Sequence, residues 1–130
     1  MIEINMLDYA RQRAIEALGT PRKAVLVTSG PAGVQAREFP CEVIDLDLYL
    51  LVPQTSDHIF NLEHESTVTL LTVGCEIKGK AHIISCDTPD LKLDLWRTPG
   101  AVWCVLVRVE ISQVQIRGER GWGNLETIDL

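Results

Sequence analysis

An excess of positive charge is missing from this sequence. Twelve Lys and Arg face eighteen Asp and Glu, a formal net charge of −6, and no run of basic residues stands out. A phosphate backbone needs a local or overall surplus of Lys and Arg, so nucleic acid is excluded as the main partner, although one cationic pocket can still sit on an acidic surface. Long apolar runs are missing too. No window approaches the roughly 20 residues that span a bilayer as a helix. The first ten residues carry Glu3 and Asp8 and lack the apolar stretch of a signal peptide, so the expectation is a cytoplasmic protein with no membrane partner. The four cysteines, Cys41, Cys75, Cys86 and Cys104, form no C-x-x-C pair and have no His at zinc-site spacing. They read as reduced thiols packed in strands, and no metal site is expected. Repeats, low-complexity tracts and linkers are absent, as are an evident nucleophile–base pair and a carboxylate dyad. No catalytic residue can be named.

What is present is a folded chain of ordinary composition: 130 residues, 46 % apolar and 23 % charged, enough for one core and one domain, 1–130. Leu7, Ala10, Ala14 and Leu18 recur at helical spacing and predict a helix over 5–18, stopped by Gly19. From Lys23 the period becomes extended. Strands are predicted over 24–28, over 34–39 and 42–45 with an interruption at Pro40, and over 48–52. Gly30-Pro31-Ala32-Gly33 and Asp45-Leu46-Asp47 read as turns. Thr55-Ser56-Asp57 before an apolar pattern is N-cap chemistry for a short helix over 57–64. Further strands are predicted over 67–73 and over 75–86, the latter with Ile77, Ala81 and Ile83 facing in, and over 101–116. The first half of that last strand (Val102, Trp103, Cys104, Val105, Leu106, Val107) is apolar on both faces and needs two covers, the barrel interior and a second subunit. Between them, 88–98 holds at most a short helical piece. Antiparallel strands in this order close into a barrel, since closure removes exposed edges. The expectation is a mainly β (α+β) six-stranded antiparallel split β-barrel at 23–116, an N-terminal helix at 1–20, short peripheral helices and a tail at 117–130.

Ala24-Val25-Leu26-Val27-Thr28 with its glycine turn, Gln35-Ala36-Arg37-Glu38-Phe39-Pro40, Leu48 through Ser56 with its helix, Thr67-Val68-Thr69-Leu70-Leu71 and Gly79-Lys80-Ala81 together resemble the pyridoxamine 5′-phosphate oxidase-like split-barrel family. The resemblance covers residues 24–116. It implies a homodimer with flavin mononucleotide (FMN) at the interface, or in some members F420 or haem. It also implies a flavin-dependent oxidoreductase acting on a small molecule. The alternatives are a dimer that binds or senses such a cofactor without turnover, and a barrel that has lost it.

A flavin phosphate needs an anion receptor, and a helix N-terminus supplies one. By the resemblance Arg37, Thr55 and Ser56 serve the phosphate, and backbone groups of Leu51 and Val52 meet the ring edge. Where relatives often carry basic residues after Thr-Ser, this chain has Asp57, which repels phosphate, and His58, which can donate to it. Trp122, between glycines, could stack on the ring or plug a gap on the barrel. Each residue also has a plainer role: Thr55 and Ser56 as caps, and Arg37 as an exposed residue or a partner of Glu38 or Asp45. His64 suits a helix C-terminus and His82 an exposed face, while Trp96 and Trp103 suit the core or an interface.

Overall fold

The computed structural model describes residues 6–84, 92–117 and 124–130. Helix α1 (Met6–Leu18) buries Ala14 and Leu18. It ends at Gly19, whose φ of 60° is the left-handed geometry of a glycine C-cap and whose N–H donates to Ile15 O at 3.2 Å. The chain then runs through β1 (Lys23–Thr28), β2 (Gln35–Ile44), β3 (Asp47–Pro53), α2 (Asp57–His64), β4 (Thr67–Thr72), β5 (Cys75–Ile84), β6 (Cys104–Arg117) and β7 (Asn124–Asp129). Two short 3-10 turns, Asp94–Arg97 and Ala101–Trp103, precede β6. Among the described residues no helix is long and apolar enough to cross a membrane.

All strand pairings are antiparallel, in the order β3-β2-β1-β4-β5-β6, and pairing of β3 with β6 closes a six-stranded barrel. Alternation of side chains sends Leu26, Leu48, Leu50, Val52, Leu70, Ile77, Val107, Val109 and Val114 inward, where all are essentially fully buried. Each such side chain contributes roughly 1.5–3 kcal/mol by leaving water. A second apolar cluster lies on the outer face of β3 and β6, where Leu93, Leu95 and Ala101 cover Tyr49, Leu51 and Leu106. The chain itself therefore supplies part of the outer cover that the doubly apolar strand requires.

β2 changes partners along its length. Residues 35–40 pair with β1, and residues 41–44 pair with β3. The expected break at Pro40 does not occur: β2 is continuous, and the proline stands at the handover. There its missing N–H faces an edge that β3 has not yet reached. β3 in turn pairs with β2 only over 47–50, so residues 51–53 have no strand on that edge.

Two other expectations are corrected and a third is qualified. Residues 101–103 form a 3-10 turn and not the start of β6, because Gly100 (φ 82°) bends the chain just before them. Trp103 consequently stands outside the core, 74 % exposed. Ile83 faces in with Ala81 and its register partner Val107, but it is 41 % exposed and not core, since β4 pairs with β5 only as far as Lys80 and the strand beyond has lost that neighbour. Within the expected tail, 124–129 is a seventh strand alongside β6. Cys86 and Trp122 lie outside the described residues. Cys41, Cys75 and Cys104 are free thiols, and burial pushes Cys41 up to about 12, which leaves it inert at neutral pH.

Gly79 marks a β-bulge between β5 and β6. A Cβ there would run into the carbonyl oxygen of Glu110 and come within 2.9 Å of Val109 Cγ1. Backbone cannot yield as a flexible side chain can. Gly79→Ala is expected to destabilise the fold by roughly 1–3 kcal/mol, seen as a thermal midpoint lowered by at least about 3 °C.

Candidate functional site

β3 ends against α2 in a tight corner. Ser56 N–H donates to Pro53 O at 3.0 Å, and Ser56 takes up the extended backbone of an N-cap (φ −71°, ψ 142°). Its Oγ accepts from His58 N–H at 3.2 Å, so the hydroxyl hydrogen remains to be donated. Thr55 and Asp57 flank it, both exposed. Just before the helix, residues 51–53 of β3 lack a strand neighbour on the β2 side. In an antiparallel ladder successive residues turn their N–H and C=O to opposite sides, so one of Leu51 and Val52 presents both groups to this open edge. Their side chains are buried, Val52 in the barrel and Leu51 in the outer cluster.

Arg37 stands on β2 opposite Leu26 of β1 and is exposed. Among the described residues it forms no ion pair, while neighbouring Glu38 lies 3.9 Å from Lys23. It shares a face of β2 with Phe39, whose ring meets that of His58, and its charge helps to lower the His58 pKa. An unpaired Arg beside a helix N-terminus is a receptor for an anion, and its planar fork suits phosphate.

His58, the residue after Asp57, turns inward and is only 4 % exposed. Its Nδ1 lies 2.8 Å from Thr28 Oγ1, and its ring meets Phe39 edge-on at 5.2 Å. Burial, and then the Arg37 charge, hold its pKa below 6.5, against a smaller opposing pull from Asp57. Thr28 Oγ1 also accepts from Asn61 Nδ2 at 3.2 Å. Assigning the imidazole proton to Nε2 lets the Thr28 hydroxyl donate to Nδ1, which satisfies the pair.

Thr28 and Asn61 are the residues at this corner that the sequence did not single out. The available signal was a polar Asn inside an otherwise apolar helical stretch, where it competes poorly unless it has a tertiary partner. The other histidines are exposed. His64 Nδ1 lies 2.9 Å from Phe60 O, and His82 Nε2 lies 3.4 Å from Glu110 Oε2. Trp103 flanks the corner, its carbonyl accepting from Gln54 N–H at 3.1 Å. Two surface grooves of about 670 Å³ each lie elsewhere, one between β1 and the β4–β5 turn, the other between β2 and the Asp94–Arg97 turn. Neither includes Arg37, Thr55, Ser56 or His58.

The sequence matches no family model and no curated protein. The fold does match solved structures. General stress protein 26 from Bacillus anthracis superposes with a TM-score of 0.64 at 20 % identity, over 97 % of this chain and all of that one. A Clostridium acetobutylicum protein related to general stress protein 26, of the pyridoxinephosphate oxidase family, gives 0.70 at 12 % identity over 94 % of this chain and 95 % of that one. The haem storage protein HutZ from Vibrio cholerae gives 0.60 at 13 % identity over 85 % and 91 %. The chain has the pyridoxamine 5′-phosphate oxidase-like split-barrel fold.

A histidine whose folded pKa is depressed leaves the unfolded chain holding more protons. Its contribution to stability is complete above pH 6.5 and is lost as the pH falls below that value towards the folded pKa. Urea midpoints should therefore fall as the pH drops below 6.5, and less steeply in His58→Gln. An imidazole NMR titration centred at or above 6.5 would contradict this.

Proposed function

We propose that this protein binds FMN at the β2–β3 split and serves as a flavin-dependent oxidoreductase on a small molecule. One observation carries the reading: an unpaired guanidinium, Arg37, shares a corner with the capped N-terminus of α2 and the open edge of β3. Arg37 and the hydroxyls of Thr55 and Ser56 receive the phosphate. His58 backs them from below as a neutral imidazole. The main chain of Leu51 or Val52 meets the polar edge of the ring, and Trp122 is a candidate to stack on it. The flavin, when bound, supplies the hydride or electron chemistry, and these residues bind and orient it.

A second copy of the chain completes the site in this reading. Val102 and Trp103 are 77 % and 74 % exposed beside Gln54 at the end of β3, an apolar pair that a homodimer would bury. Asp57, which opposes a phosphate, favours a second reading: a dimer that carries flavin, F420 or haem without turnover.

Titration of the purified protein with FMN and with riboflavin tests the first reading. FMN should bind more tightly. Arg37→Ala should weaken FMN by about ten- to a hundred-fold, the loss of one charge-assisted hydrogen bond, and leave riboflavin nearly unchanged. Equal loss for both ligands would remove Arg37 from the phosphate, and uptake of haem or F420 in place of flavin would change the cofactor. In sedimentation the protein should run as a dimer and Trp103→Glu as a monomer. A wild-type monomer at working concentration would contradict an interfacial site.

A further inference from the structure

Asn61 is fully buried, and its side-chain amide is completely satisfied. Oδ1 accepts from Ala32 N–H at 2.9 Å, while Nδ2 donates to Gly33 O at 2.9 Å and to Thr28 Oγ1 at 3.2 Å. Those three partners are the end of β1 and the turn leading into β2. That turn is closed by Gly33 N–H to Gly30 O at 2.9 Å, with Pro31 and Gly33 at positions that suit a type I geometry. Gly30 presses against the amide: a Cβ there would lie 2.8 Å from Asn61 Oδ1 and 3.2 Å from its Cα. One residue of α2 thus grips the loop from which β2, and with it Arg37, departs. A buried polar network of this kind admits one arrangement, since any shift strands a buried donor or acceptor.

We propose that Asn61 is the positioning residue of the anion corner, setting the distance between Arg37 and the N-terminus of α2 without itself touching the ligand. The proposal rests on the corner being a phosphate site. It assigns to the Thr28–Asn61–turn network a role in ligand selection beyond stability. Arg37 leaves the turn four residues after Gly33, and nothing else among the described residues holds its guanidinium. The ladder with β1 fixes β2 within its hairpin, and Asn61 fixes that hairpin against α2, so the placing of Arg37 relative to Ser56 runs through the clamp.

The test reads the ratio of FMN to riboflavin affinity in wild type, Asn61→Ala and Gly30→Ala, each also with Arg37→Ala. Gly30→Ala pushes the turn off the amide from the other side and keeps the helix intact, so it carries the test if Asn61→Ala does not fold. Each single variant should cut the ratio by about ten-fold, because the charge-assisted bond loses its geometry. Adding Arg37→Ala to either should then change little. The Ala32 amide should exchange faster with solvent in Asn61→Ala. A merely structural role would weaken FMN and riboflavin equally and leave the effect of Arg37→Ala at its wild-type size, and that result overturns the proposal. A wild type with no preference for FMN over riboflavin overturns instead the phosphate reading on which it stands, and it is seen before any variant is made.

Discussion

The handover of β2 from one neighbour to the other is the constraint on which the rest depends. Ten residues of strand are divided between β1 and β3 at Pro40, so the barrel closes while a stretch of β3 goes without a strand on one edge. An open edge is a liability in a soluble sheet. Here α2 begins at the gap and packs His58 and Asn61 inward against β1 and its turn, which leaves the helix N-terminus, the unpaired Arg37 and free main-chain groups of β3 in one place.

What anchors α2 is polar. A short helix of eight residues has little apolar surface to dock with, and Leu62 is its only buried large aliphatic side chain. Thr28, His58 and Asn61 make up the difference through hydrogen bonds that are strong because they are sheltered, and that would be costly to leave unmade. The neutral imidazole fits this arrangement. A charged ring would sit buried beside a guanidinium, and both burial and the neighbouring charge oppose it. The corner can thus hold one positive charge at its surface and a neutral support below.

Much of the fold was legible in the sequence, because strand alternation, glycine turns and a Ser-Asp cap act locally. The bounds of α2, 57–64, followed from the cap and the apolar spacing alone. What escaped depended on neighbours distant in sequence. Pro40 looks like a break until β2 is seen to change partners there, Ile83 looks like core until β4 is seen to stop short of it, and β7 forms because β6 outruns β3 and leaves an edge to pair. At the corner, Ser56 could be picked out by its cap chemistry and Arg37 by the family resemblance. The inward turn of His58 and the role of Asn61 could not, since the face a short helix buries is decided by its docking angle. The likeness to solved structures at 12–20 % identity secures the barrel and leaves the ligand to be read from the residues.

The central claim is one of location: an anion binds where β3 meets α2. An amide and guanidinium NMR titration of the labelled protein with FMN locates it directly. The account predicts that the first and largest shifts fall on the backbone amides of Thr55, Ser56 and Asp57 and on the Arg37 side chain. Shifts centred instead on Arg22 and Arg97, in the groove beside Cys41, with the helix start unmoved, would contradict it.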